Sequence, residues 1–178
     1  MLVWLLGENV VLADISLNLL KLAEQRFEHH KVSQPCAFAH CDAERLPFKS
    51  GSFDFVVGFE GIHHCLVPQA ALTEIWRVAK KRSFIIDNLE CTLTRALYRI
   101  GQSSTLEYSG VKPNRFTLGC LETMIHNAKI SRYEFRPRAT LPDRIHKFTG
   151  DRIGRGIEVM LEELGQTNMF TLSAYHEK

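Results

Sequence analysis

The sequence lacks a dominant sign of charge: 22 Lys+Arg stand against 20 Asp+Glu, a formal net charge of +2 over 178 residues. That balance argues against a dedicated nucleic-acid or polyanion binder, although it leaves room for a local patch. No long hydrophobic run is present either. Residues 1–6, MLVWLL, are apolar, but no basic leader precedes them and Glu8 and Asp14 soon interrupt the run. Neither a signal peptide nor a membrane span is therefore expected. The five cysteines, Cys36, Cys41, Cys65, Cys91 and Cys120, are odd in number and irregularly spaced. Free thiols in a reducing compartment, the cytoplasm by default, are the expectation. Glycine is scarce where it would be most informative, with only Gly7 among the 13 residues before Asp14. There is no internal repeat and no low-complexity tract.

What is present is one domain's worth of chain, residues 1–178, with 45% hydrophobic residues to supply a core. Val10-Val11-Leu12-Ala13-Asp14 reads as a buried strand that delivers a carboxylate at its end. Ser16 is a candidate N-cap for a helix to about His30, with Leu17, Leu20, Ala23 and Phe27 at helical spacing. Residues 1–6 are read as the last turns of a preceding helix, ended by Gly7. Strands are expected at Cys36–Cys41, Asp54–Phe59 and Arg82–Asp87, with a helix from Gln69 to Val78 between the last two. Helices over Thr92–Ile100, Thr117–Ala128 and Ile157–Leu164 follow. A strand is read at Lys129–Phe135, and a late antiparallel edge-region strand in MFTLSAYHE. Near-continuous apolar strands alternating with helices predict a Rossmann-like α/β, three-layer sandwich with a mostly parallel sheet.

The run ADIS…LLKLAEQR…CDAERLPFKSGSFDFVVGFEGIHHC…ALTEIWRVAKK…SFIIDN resembles the class I S-adenosylmethionine-dependent methyltransferases. The similarity is greatest to their small-molecule, type 11 branch, which includes the ubiquinone and menaquinone methyltransferases. It covers Val10–Asn88 in motif detail and the remainder in element order. It implies S-adenosylmethionine as cofactor and a small-molecule methyl acceptor, with Thr92–Arg155 as a variable substrate-side region. By position, Asp14 corresponds to the acid that binds the ribose hydroxyls and Ile15 to the residue that packs on adenine. Asp42 accepts from the exocyclic amine in the same scheme, and the Ala43 N–H meets a ring nitrogen. Gly58 to Gly61, Glu60 included, match the segment lining the cleft near the transferred methyl group. Glu74, Arg77 and Val78 belong to a structural helix signature.

Elementary chemistry is compatible with these roles. Asp14, Asp42 and the Phe59–Glu60 step fall at the carboxyl ends of expected parallel strands, the ligand-binding edge of open α/β sheets. One carboxylate can hold a diol, and a cationic sulfonium tolerates a nearby acid such as Glu60. Blander roles stand beside them: Asp14 as a helix-capping neighbour, Asp42 and Glu44 as solvated turn charges. His64 is the candidate to position the acceptor or take its proton. His63-His64-Cys65 with His40-Cys41 raises zinc, but adjacent ligands do not follow metal-site spacing, and no metal is expected. Arg132, Arg136 and Arg138 are read as a solvated basic face. No amino-methylating Asn/Asp-Pro-Pro-Tyr tetrapeptide follows the VVGF strand, which by analogy favours oxygen, carbon or sulfur acceptors.

Two departures from the pattern matter. Lys81–Ser83 replaces the usual Pro-Gly-Gly, which should alter a tight turn before the next strand. The first strand and its glycine-rich loop, which approach the methionine end of the cofactor through backbone, have no counterpart before Asp14. The expectation is an N-terminally incomplete sheet with adenosine contacts present and methionine contacts deficient. Two strands should then expose unpaired edges, met by each other, by self-association or by a partner. A non-catalytic, methyltransferase-like scaffold is the alternative function.

Overall fold

The computed structural model describes residues 9–31, 36–100, 113–141, 147 and 149–176. The helix expected over residues 1–6, and most of the loop from 101, lie outside them. The elements run β1 (Val10–Asp14), α1 (Leu17–His29), β2 (Cys36–His40), β3 (Phe53–Phe59), α2 (Pro68–Val78), β4 (Ala79–Asn88), α3 (Thr92–Arg99), α4 (Leu118–Asn127), β5 (Tyr133–Arg138), α5 (Asp151–Glu163) and β6 (Met169–Tyr175). A single 3₁₀ turn, Ile62–His64, follows β3.

Local chemistry accounts for the boundaries. Ser16 Oγ accepts the Leu19 N–H at the start of α1, and Thr117 Oγ1 accepts the Cys120 N–H at the start of α4. Pro68 occupies the first turn of α2, where its missing N–H costs nothing. Gly51, at φ +65°, makes the turn into β3 and donates its N–H to Arg77 O.

The strands form two sheets. β1 and β2 pair in parallel, with Asp14 opposite His40. The second sheet has the order β3-β4-β6-β5, with β3 and β4 parallel and the other two pairings antiparallel. This is the mixed Rossmann-like α/β arrangement expected from the sequence. Among the described residues β1 pairs only with β2, and β3 only with β4. Among the described residues each therefore keeps one edge without a strand.

On one face of the larger sheet Gly58, Ile85 and Leu172 lie in register and pack with Ile75, Leu121, Met124 and Ile125 of α2 and α4. Alternation puts Phe55 and Phe59 on the opposite face, where they are 48% and 54% exposed.

Four expectations need correction. Lys81–Ser83 form no turn: α2 passes directly into β4, which begins at Ala79 because Ala79 already pairs with Phe53. The strand read at Lys129–Phe135 is Tyr133–Arg138, so it takes in Arg136-Pro137-Arg138. Here β5 is the sheet edge, where a proline's missing donor can face solvent. The strand β6, read as an edge, is internal and mostly buried, between β4 and β5. The last helix starts at Asp151, not Ile157, despite Gly154 and Gly156. Tertiary bonds offset the glycine cost: Glu162 and Glu158, one turn apart on α5, accept the Ala139 and Leu141 N–H groups.

Candidate functional site

The carboxyl ends of β1 and β2 bring the first four candidate residues together. Asp14 O accepts the Cys41 N–H at 3.1 Å, and the His40 ring donates from Nε2 to Ile15 O at 2.9 Å. The two strand ends are thus laced to each other beyond their ladder. Asp14 Oδ1 accepts the Ser16 N–H at 2.7 Å, and Asp42 Oδ1 accepts the Glu44 N–H at 2.9 Å. Each acid closes a local turn with one oxygen. Among the described residues the second oxygen of each carboxylate has no hydrogen-bond partner. Ile15 is 66% exposed beside them, and Ala43 packs against the core cluster.

A second group gathers where β3 ends. Glu60 adopts φ +46°, a left-handed conformation rare for a residue with a side chain, and its N–H donates to Ile86 O at 2.8 Å. Its side chain is exposed. Gly58 faces α2: a Cβ there would stand 3.1 Å from Ile75 Cδ1. The 3₁₀ turn buries His63 and leaves His64 exposed, their ring centroids 4.0 Å apart.

Three residues without a role in the sequence reading hold these groups in place. Glu44 Oε1 accepts the Val67 N–H at 3.0 Å, joining the β2 end to the segment after the turn. Asn114 donates from Nδ2 to His63 O and Cys65 O, at 3.1 and 2.6 Å. Asp87, at the end of β4, binds the turn from beneath: its Oδ1 lies 2.5 Å from His63 Nδ1. A signal for Asp87 was available, since FIID ends in an acid as VVLAD does. Asn114 sits in a segment without periodicity, and nothing local distinguishes it.

The charge of these acids reaches the nearby thiols. Burial pushes the Cys65 thiol up to about 11, reinforced by the carboxylates of Glu44, Asp42 and Asp87. Burial also raises Cys41, with Asp42 and Asp14 adding to it. Both shifts disfavour the thiolate. Among the described residues no group of three or more His, Cys, Asp or Glu is placed to hold a metal ion.

Residues 1–86 match the family model of a methyltransferase domain, which covers every candidate residue of both groups. Over that stretch the chain is similar to a methyltransferase domain, and its strand order is that of a Rossmann-like α/β fold. Part of it is also similar to curated C-methyltransferases. It is 36% identical over 74 residues to the ubiquinone/menaquinone biosynthesis C-methyltransferase UbiE of Rhizobium johnstonii, a match covering 41% of this chain and 28% of that protein. The UbiE of Coxiella burnetii is 35% identical over 79 residues, covering 44% and 31%. The similarity thus spans less than a third of these relatives.

Solved structures extend the likeness in fold across the chain. The YcgJ protein from Bacillus subtilis superposes with a TM-score of 0.66 at 18% identity, over 96% of this chain and 84% of that one. Magnesium protoporphyrin IX methyltransferase (ChlM) from Synechocystis PCC 6803 gives 0.64 at 14% identity, over 96% and 65%.

Proposed function

We propose that this chain takes part in transfer of a methyl group from S-adenosylmethionine to a small-molecule acceptor, and that the β1 and β2 ends hold the adenosine half of the cofactor. The observation that carries this reading is the pairing of Asp14 and Asp42 at neighbouring strand ends, each with an oxygen left over from its own turn. That donor set fits the group: Asp14 accepts from the ribose hydroxyls, Asp42 from the exocyclic amine, and exposed Ile15 covers an adenine face. The cofactor supplies an electrophilic methyl on a sulfonium. The chain's own part is alignment of two reactants and exclusion of water, with Gly58 and Glu60 on the segment beside the reacting centre. Exposed His64 positions the acceptor or receives its proton. Thr92–Arg155 forms the acceptor side of a single domain, residues 1–178. The five free cysteines fit a reducing compartment such as the cytoplasm. No described helix is long and apolar enough to cross a membrane.

Calorimetric titration with S-adenosylhomocysteine tests the cofactor reading. Binding is expected, lowered about tenfold or more in Asp14→Ala, the order of one lost charge-assisted hydrogen-bond pair. Equal affinity in the two proteins would remove Asp14 from the site. For His64, an unchanged methylation rate in His64→Ala would remove its role.

A second reading, a methyltransferase-like partner-binding domain, is favoured by the open edges of β1 and β3 and by exposed Phe55 and Phe59. We infer that these edges are covered by self-association or by another chain. Sedimentation of a strictly monomeric protein whose Phe55 and Phe59 remain fully reactive to solvent probes in cell extract would sink it.

A further inference from the structure

We propose that Asp87 is a positioning residue of this site, acting through His63 to fix the ring against which His64 lies. The proposal rests on the reading of His64 as the group that meets the acceptor, and it deepens that reading by naming what aims it.

Asp87 ends the apolar run of β4 and is completely buried. A buried carboxylate needs donors on most of its lone pairs, and here they come from one short segment. Oδ2 accepts the Ile62 N–H at 3.0 Å and the His63 N–H at 3.3 Å. Oδ1 accepts the Asn88 N–H at 2.6 Å and lies 2.5 Å from His63 Nδ1. An ionised carboxylate only accepts, and beside it Nδ1 of His63 is the ring nitrogen that carries a proton. The ring is thereby oriented with Nδ1 toward Asp87.

The backbone around this contact is fixed from both sides. Glu60, just before the turn, is held in the left-handed region at φ +46° by its bond to Ile86 O. Such a conformation persists only where the surroundings over-determine it. Asn114 grips the far side through His63 O and Cys65 O. His63 is thus held through its Asp87-facing nitrogen and its backbone, and His64 lies against it with centroids 4.0 Å apart and planes 42° apart. The exposed imidazole is placed by a buried one, and the buried one by Asp87.

The isosteric Asp87→Asn separates this role from space filling. Its amide oxygen keeps the most bonds on the Oδ2 side, facing two backbone N–H groups. The NH₂ then faces His63 Nδ1 and donates to it, which forces the proton to Nε2.

The test is ¹⁵N spectroscopy of the histidine rings at neutral pH, in the wild-type chain and Asp87→Asn. The expected result is an Nδ1–H tautomer for His63 in the wild type and Nε2–H in the variant, with displaced His64 ring signals. Amide exchange at Ile62 and His63 should quicken about tenfold, while Val57 stays protected. A wild-type His63 already in the Nε2–H form would overturn the proposal, whatever the variant's folding. So would a variant with unchanged tautomer or unchanged His64 signals. Titration of the same wild-type sample with S-adenosylhomocysteine keeps the two readings apart. Absent binding with the expected tautomer change overturns the cofactor reading and upholds Asp87's hold on the turn.

Discussion

Glu74 and Arg77, one turn apart on α2, meet through two hydrogen bonds of 2.7 Å, from Arg77 Nε and Nη2 to Glu74 Oε1 and Oε2. Together they hold the chain between β2 and β3. Glu74 Oε2 accepts the Leu46 N–H, and Arg77 donates to Leu46 O and Phe48 O. The guanidinium beside it holds the Glu74 carboxyl below its ordinary value. A lowered carboxyl contributes stability above the unfolded-state value and loses it as pH falls through the folded one. Glu74→Gln is expected to lower unfolding free energy by about 1–2 kcal/mol at pH 7. The gap to the wild type should close below about pH 4. Urea denaturation at the two pH values checks both.

Cys65 is expected to alkylate slowly. With its thiol pushed up to about 11 by burial and by three carboxylates, the thiolate fraction at pH 8 falls about a hundredfold against an ordinary thiol. Iodoacetamide labelling read by peptide mass spectrometry measures this. Glu44→Gln, which removes the largest charge contribution, should speed it. Labelling at the rate of a free thiol would contradict the assigned surroundings.

Gly58 is a packing position against α2. A Cβ would stand 3.1 Å from the flexible end of Ile75, so Gly58→Ala should be nearly neutral once Ile75 shifts. Gly58→Val has no such escape and should cost about 2 kcal/mol by overpacking. Thermal melts of the pair distinguish this from a glycine needed for its backbone, since Gly58 is not among the positive-φ residues.

Asp42 should read the base of the cofactor. A carboxylate favours an amine and repels a carbonyl, so S-adenosylhomocysteine should bind at least tenfold better than its inosine analogue. Asp42→Asn, able to donate, should erase most of that preference. Equal discrimination by the two proteins in competition calorimetry would show that Asp42 does not face the base.

Much of the fold was legible because it rests on local signals. Ser16 caps α1 as its position suggested, and Pro68 and Gly51 mark the boundaries that their backbone chemistry dictates. The elements misread were those whose local signal is opposed by tertiary contacts. Pro137 belongs to β5 because β5 lies at an edge, a fact of strand order and not of the residue. Gly154 and Gly156 lie within α5 because Glu158 and Glu162 anchor it to residues 139–141. In the site, Asp14 and Asp42 were legible as acids ending apolar strands. Asp87 ends one too, but only the approach of the 3₁₀ turn gives it a function.

The sequence by itself determined the βα alternation, the strand-end acids and the kinship with methyltransferases, because hydrophobic period, turn chemistry and motif spacing are properties of neighbouring residues. Tertiary structure alone decided that β1 and β3 lie in different sheets, that His63 is buried while His64 is exposed, that Glu44 ties the two halves of the site, and that Asn114 and Asp87 hold the turn. These are pairings between segments 23 to 51 residues apart. Their partners are chosen by the packing of the whole sheet, which no local window contains.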